Sequence, residues 1–169
     1  MRPELANGEH PDPSTRRAPY NAGHMGPAKI LTVDDEQLIR WSLVERLTQE
    51  GYETVEAETG SEALDRFNDD IDLVLLDYRL PDIDGLSVLK EMQDREPDAL
   101  VIMLTAHSSV DTAVQVMKRG AFHYATKPFD LDEIVLLVEK ALETNRLRRE
   151  VRALRASQAE PYGMERIIG

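Results

Sequence analysis

A doubly wound α/β sandwich, with a five-stranded parallel sheet covered on both faces by helices, is the fold this sequence predicts. Three observations predict it. Short continuous apolar runs alternate with segments whose apolar residues recur at helical spacing. The central runs are mainly apolar, as strands buried on both faces require. Gly and Pro fall between the segments, where turns are needed.

The elements follow in order. Ile30, Leu31 and Val33 form a first strand that stops at Asp34 and Asp35. A helix follows, with Leu38, Ile39, Trp41, Leu43, Val44 and Leu47 read as its apolar face, and Gly51 ends it. Residues 52–57 read as a strand and 60–67 as a short helix with Ala63, Leu64 and Phe67 inward. Residues 71–76 form an apolar run that stops at Asp77, and Pro81 and Gly85 punctuate the loop beyond it. Leu86, Val88, Leu89 and Met92 carry the next helix. Residues 100–104 are a strand ending at Thr105, and 109–118 a helix containing Val110, Ala113, Val114 and Met117. Residues 121–125 are a short strand before Thr126, Lys127 and Pro128, and a long helix starts at Leu131. Right-handed crossovers between such strands give the three-layer sandwich.

The 169 residues suffice for one domain with a proper core. No apolar run reaches the roughly eighteen residues of a membrane span, and no signal-peptide core follows Met1. Cysteine is absent, which excludes disulfides and thiolate metal sites. A soluble cytoplasmic protein is expected. The net charge of -12 argues against nonspecific nucleic-acid binding by this chain. Residues 1–27, rich in Pro, Gly, Asn and Arg, read as a disordered leader. Its Gly23-His24-Met25 segment fits either a cloning remnant or a natural extension.

In open α/β sheets the ligand site lies outside the carboxyl ends of the strands. Those ends deliver Asp34, Asp35, Asp77, Thr105 and Lys127. One aspartate there would merely cap a helix. Three together repel one another and call for a cation, and oxygen ligands suit magnesium or manganese. The lysine suits a phosphoryl oxygen, the threonine can donate to another, and a carboxylate can itself attack phosphorus.

These residues lie in strings that resemble a known family. VDDEQ (33–37), LLDYRLPDIDG (75–85), Thr105-Ala106 and Lys127-Pro128 resemble the receiver domains of bacterial two-component response regulators, over residues 28–145. The resemblance implies a flavodoxin-like (βα)5 sheet of strand order 2-1-3-4-5. It implies that Asp77 is the phosphoacceptor, served by a sensor histidine kinase. Asp35 would bind Mg2+ (or Mn2+) directly, Asp34 through water, and the Arg79 backbone carbonyl would be a further ligand beside Asp77. Thr105 and Lys127 would contact the phosphoryl group, and the small Ala106 would admit it. Tyr124 would be a switch ring, the Lys127-Pro128 bond would be cis, and the side chains of Arg79 and His107 would tune dephosphorylation.

The helix continues past residue 141, with Leu147, Val151 and Leu154 at coiled-coil spacing, and a dimerising linker is expected over 146–160. The final residues 164–169, MERIIG, resemble the start of the AAA+ ATPase domain of NtrC-type, sigma-54-dependent activators. The implied whole is a homodimer with ATPase and DNA-binding domains downstream. No Walker motif is present, so this chain is read as a phosphoacceptor switch and not an ATPase. A haloacid-dehalogenase-type phosphatase also uses an aspartate nucleophile, but it needs a second Asp two positions later, where Arg79 stands. A flavin carrier would need a phosphate-cradling loop where Asp34 and Asp35 would repel the phosphate.

Overall fold

The computed structural model describes residues 26–106 and 109–168, with side-chain surroundings in the last helix as far as Ala156. The leader read over residues 1–27 falls almost wholly outside the described residues, as do His107 and Gly169.

Among the described residues five strands and five helices alternate: β1 (Lys29–Val33), α1 (Gln37–Gln49), β2 (Glu53–Ala57), α2 (Gly60–Arg66), β3 (Leu73–Asp77), α3 (Gly85–Arg95), β4 (Val101–Thr105), α4 (Val110–Lys118), β5 (His123–Thr126) and α5 (Leu131–Ile168). All strand pairs are parallel, and the order is β2-β1-β3-β4-β5, as the family resemblance implied. β3 starts later than expected because Asp72 is used at its entrance. The Asp72 carboxylate accepts from the Lys29 amide at 2.8 Å, and its own amide donates to the Lys29 carbonyl at 2.8 Å.

The period-two alternation of strand side chains divides the core in two. Ile30, Leu73, Leu75, Ile102 and Leu104 face α1 and α5, where Leu43, Leu47, Ile134, Val138 and Ala141 close one layer. Leu31, Val33, Val74, Leu76, Val101 and Met103 face α2, α3 and α4, where Ala63, Val88, Leu89, Met92 and Val116 close the other. Each fully buried Leu, Ile, Val or Met contributes about 1.5–3 kcal/mol of transfer free energy. That burial keeps the central strands, and the side chains at their ends, in fixed register.

Two helices present faces the apolar spacing did not give. In α1, Leu38 and Trp41 are 72% and 64% exposed, whereas Arg40 is 6% exposed and packs inward beside Leu43 and Leu47. The inward slot is set by charge, because Arg40 meets Glu56 of β2 at 2.8 Å. In α4, Val110, Val114 and Met117 face outward and Val116 is the buried residue. Gly51 ends α1 as expected, at φ 98°.

Beyond Leu142 the α5 helix leaves the core, and Leu147, Val151 and Leu154 are exposed along one side. Three of its arginines turn back to the opposite pole of the sheet from the strand carboxyl ends. Arg149 lies 4.0 Å from the buried Asp72, Arg152 pairs with Asp98, and Arg148 donates to the Asp98 carbonyl at 3.5 Å. Among the described residues no helix is long and apolar enough to cross a membrane.

Candidate phosphoryl and metal site

Because β1, β3, β4 and β5 are neighbours in the sheet, their carboxyl ends bring together what the sequence keeps far apart. Asp34 and Asp35 follow β1, Asp77 closes β3, Thr105 closes β4, and Lys127 follows β5. Asp34 is fully buried and Asp77 nearly so, while Asp35 is exposed at the rim. One carboxylate oxygen from each of the three lies within 4.8 Å of the others.

Three carboxylates this close need compensation, and Lys127 supplies it. Its Nζ is 2.8 Å from Asp34 Oδ2, 3.4 Å from Asp77 Oδ1 and 3.4 Å from Glu36 Oε1. Burial acts to lower the Lys127 pKa, but its contact with Asp34 and the charges of Asp77 and Glu36 outweigh that and hold it above the ordinary lysine value. Burial, and secondarily the Asp34 charge, push the Asp77 carboxyl up to about 6, against the pull of Lys127 and the Arg79 amide. That amide donates to Asp77 Oδ1 at 3.3 Å.

The loops hold these groups by main-chain contacts. The Lys127 amide donates to the Thr105 carbonyl at 2.7 Å, tying the ends of β4 and β5, and the Lys127-Pro128 bond is cis as expected. Thr105 is buried, and Ala106 beside it is exposed. Tyr124 is half-buried on the α2–α4 side of the sheet and stacks on His123 at 5.7 Å between ring centroids. After Asp77 the chain folds back on itself. The Gly85 amide donates to the Tyr78 carbonyl at 3.0 Å, and a Cβ on Gly85 would meet the Asp77 and Tyr78 carbonyls at 2.6 Å. Gly85 is therefore the first residue of α3 and the reason the turn closes so tightly. Asp82, in the same loop, accepts from the Gly60 and Ser61 amides at 2.8 and 2.9 Å, pinning the loop to the start of α2. The Ser61 amide is the main cause that holds the Asp82 carboxyl below the usual range.

The structure thus brings Asp34, Asp35, Asp77 and Lys127 together, with Thr105 on the same sheet edge. Arg79 is exposed just beyond Asp77. Sequence reasoning missed Glu36 and Arg40. Glu36 stands inside the VDDEQ string and was open to notice as a third partner for Lys127. Arg40 carries no sequence signal, since its partners Glu56 and Glu58 lie on another element.

Comparison with known proteins gives the same picture. The family model described as the response regulator receiver domain matches residues 30–139. The chain is 44% identical over 127 residues to the regulatory protein AtoC of Escherichia coli K12, covering 75% of this chain and 28% of that protein. It is 45% identical over 111 residues to the DNA-binding transcriptional regulator NtrC of Klebsiella pneumoniae, covering 65% of this chain and 24% of the relative. It therefore spans about a quarter of the length of these curated relatives. Among solved structures, NtrX from Brucella abortus superposes with a TM-score of 0.72 at 42% identity, over 78% of this chain and 30% of that one. A CheY-like receiver domain protein from Methanospirillum hungatei gives 0.68 at 30% identity, over 72% and 98%.

Proposed function

Because this chain belongs to the response-regulator receiver family, we propose that it takes a phosphoryl group from a sensor histidine kinase onto Asp77 and passes the change to a sigma-54-dependent activator of transcription. The observation that carries the residue assignment is the Asp34–Asp35–Asp77 cluster with the Lys127 ammonium among its oxygens. An Asp77 oxygen attacks phosphorus while the P–N bond of the phosphohistidine breaks and the imidazole takes the electron pair. Lys127 is free to exchange a carboxylate oxygen for a phosphoryl oxygen without leaving its place, and the Thr105 hydroxyl serves another. Tyr124 follows Thr105 inward. The acidic, oxygen-only donor set fits Mg2+ or Mn2+, held by Asp34, Asp35, Asp77 and the Arg79 carbonyl. Such an ion, when bound, supplies charge neutralisation to the phosphoryl oxygens. The phosphatase alternative lacks its second aspartate at Arg79 and finds no support among the relatives.

Titration of the metal-free protein with Mg2+ is expected to shift the amide resonances of Asp34, Asp35, Asp77 and Arg79 along one binding curve. Resonances at these four positions that stay still in saturating Mg2+ would remove the metal assignment.

Arg79 stands two residues after Asp77 in sequence and His107 two after Thr105. Substituting either with Ala is expected to change the lifetime of the phosphate several-fold without lowering the melting temperature. Unchanged decay in both single variants would discard this role.

The exposed Leu147, Val151 and Leu154 support a linker helix that pairs with that of a second copy, with Arg149 and Arg152 kept outside the seam by Asp72 and Asp98. Residues 161–169 are then the start of an ATPase domain. Truncation after Asn145 is expected to shift the sedimentation of the unphosphorylated protein toward monomer. Identical sedimentation before and after truncation would leave the tail as a solvated helix.

A further inference from the structure

Arg40 is a buried cation with no counterpart in the phosphoryl chemistry described above. Its side chain is 8% exposed, yet its carboxylate partners sit at the surface, Glu56 at 47% and Glu58 at 62%. A guanidinium buried this far loses hydration that an exposed ion pair would have kept. A mere staple between α1 and β2 would not require that loss. What burial adds is a contact on the inner side. Arg40 Nη1 donates to the main-chain carbonyl of Asp34 at 2.7 Å, while Nε donates to Glu56 Oε1 at 2.8 Å.

Asp34 is held at every polar atom. Its amide donates to the Ala57 carbonyl at 3.1 Å, Oδ1 accepts from the Glu36 amide at 2.8 Å, Oδ2 faces Lys127, and its carbonyl faces Arg40. The last two contacts come from opposite sides. Lys127 holds the carboxylate from within the pocket, and Arg40 holds the backbone from behind it. The inversion on α1, with Leu38 and Trp41 outside and Arg40 inside, exchanges two apolar contacts for this one. Departures from apolar patterning of this kind concentrate at functional sites.

We propose that Arg40 is a positioning residue of the acidic pocket. Its guanidinium fixes the turn that carries Asp34 and Asp35, so that their carboxylates stand preformed for a divalent cation. The planar fork of arginine suits the task because one side chain must bond a carbonyl and a carboxylate together. This inference rests on the reading of Asp34, Asp35 and Asp77 as a metal pocket.

The test is Mg2+ titration of the whole chain, followed by amide chemical shifts, with thermal unfolding measured alongside. Arg40→Met, which keeps bulk and loses both charge and donors, is expected to weaken Mg2+ binding about tenfold. Glu56→Gln removes the closer of the two outer ion pairs and keeps the Asp34 contact, so its Mg2+ affinity is expected to match wild type even where its melting temperature falls. Arg40→Lys is expected to weaken binding as well, and it serves if the Met variant does not fold. Wild-type Mg2+ affinity in a folded Arg40 variant overturns the proposal, as does an equal loss in Glu56→Gln. A wild-type chain that binds no Mg2+ at these residues refutes the metal pocket itself, and the role of Arg40 with it.

Discussion

Asp77→Asn is expected to take up no phosphate from acetyl phosphate and Mg2+, where the wild-type chain acquires one labile acyl phosphate. The amide lacks the charged oxygen that attacks phosphorus, so the loss is complete and not partial. The same substitution is expected to raise stability in the absence of metal. Burial and the neighbouring Asp34 hold the Asp77 carboxyl at about 6 in the folded chain, well above its ordinary value of 3.8. The folded state therefore binds this proton more tightly than the unfolded state. Wild-type stability should fall as pH rises from about 4 through about 6, by an amount on the order of 3 kcal/mol. Asn removes that slope. Urea unfolding of both proteins at pH 5 and pH 7.5, with intact-mass measurement of the phosphoprotein, checks the two halves together. A phosphate retained by Asp77→Asn would overturn the assignment, and an unchanged pH slope would show that the carboxyl pays no such penalty.

Lys127→Ala should have the second largest effect, and it should depend on conditions. Removing the ammonium leaves Asp34 and Asp77 facing each other without a cation, and breaking a buried pair in this way costs about 3–5 kcal/mol, toward the lower end here because Lys127 keeps some solvent contact. Two additions should restore much of the loss. Acid pH restores it by protonating Asp77, and Mg2+ restores it by replacing the missing positive charge. In wild type, the Lys127 pKa lies above the ordinary 10.5, so its contribution is complete below that pH and is lost as pH rises beyond it. Once refolded with Mg2+, Lys127→Ala is expected to accept phosphate on Asp77 without the conformational change that follows in wild type. Melting curves at pH 5 and 7.5, with and without saturating Mg2+, measure the first part. Equal melting temperatures for variant and wild type at pH 7.5 without metal would show that Lys127 does not hold the pocket together.

Much of this site was legible in the sequence, for a specific reason. Parallel strands buried on both faces are continuous apolar runs, so the residue at which each run stops marks the carboxyl edge of the sheet. Asp34, Asp77, Thr105 and Lys127 could be assigned to one edge without knowing any distance. The strand order needed the family resemblance, because spacing alone does not say which run lies beside which. The face of α1 was not legible. Leu38 and Trp41 have the spacing of core residues, but the inward slot is taken by Arg40, whose partners on and just after β2 become neighbours only after folding. The outward turn of Val110, Val114 and Met117 has the same origin. Helical spacing identifies a stripe, and the neighbouring elements decide which stripe is covered.

The unbroken α5 helix also has a mechanical consequence. Its last well-buried residues are Ala141 and Leu142, so the stretch to Ala156 is a rod projecting about 21 Å past its anchorage. A rod this stiff magnifies small tilts. About 10° at the anchorage moves its far end by roughly 4 Å, about two thirds of the rise of one helical turn. The pairs of Arg149 with Asp72 and Arg152 with Asp98 brace it partway along, like guy-lines. The Arg152–Asp98 brace lies at the surface, where it resists with only about 1 kcal/mol or less and slackens as salt rises, and the Arg149–Asp72 pair is a loose contact at 4.0 Å. The angle at which the rod leaves the receiver is therefore a soft coordinate, open to adjustment by modest forces at its base.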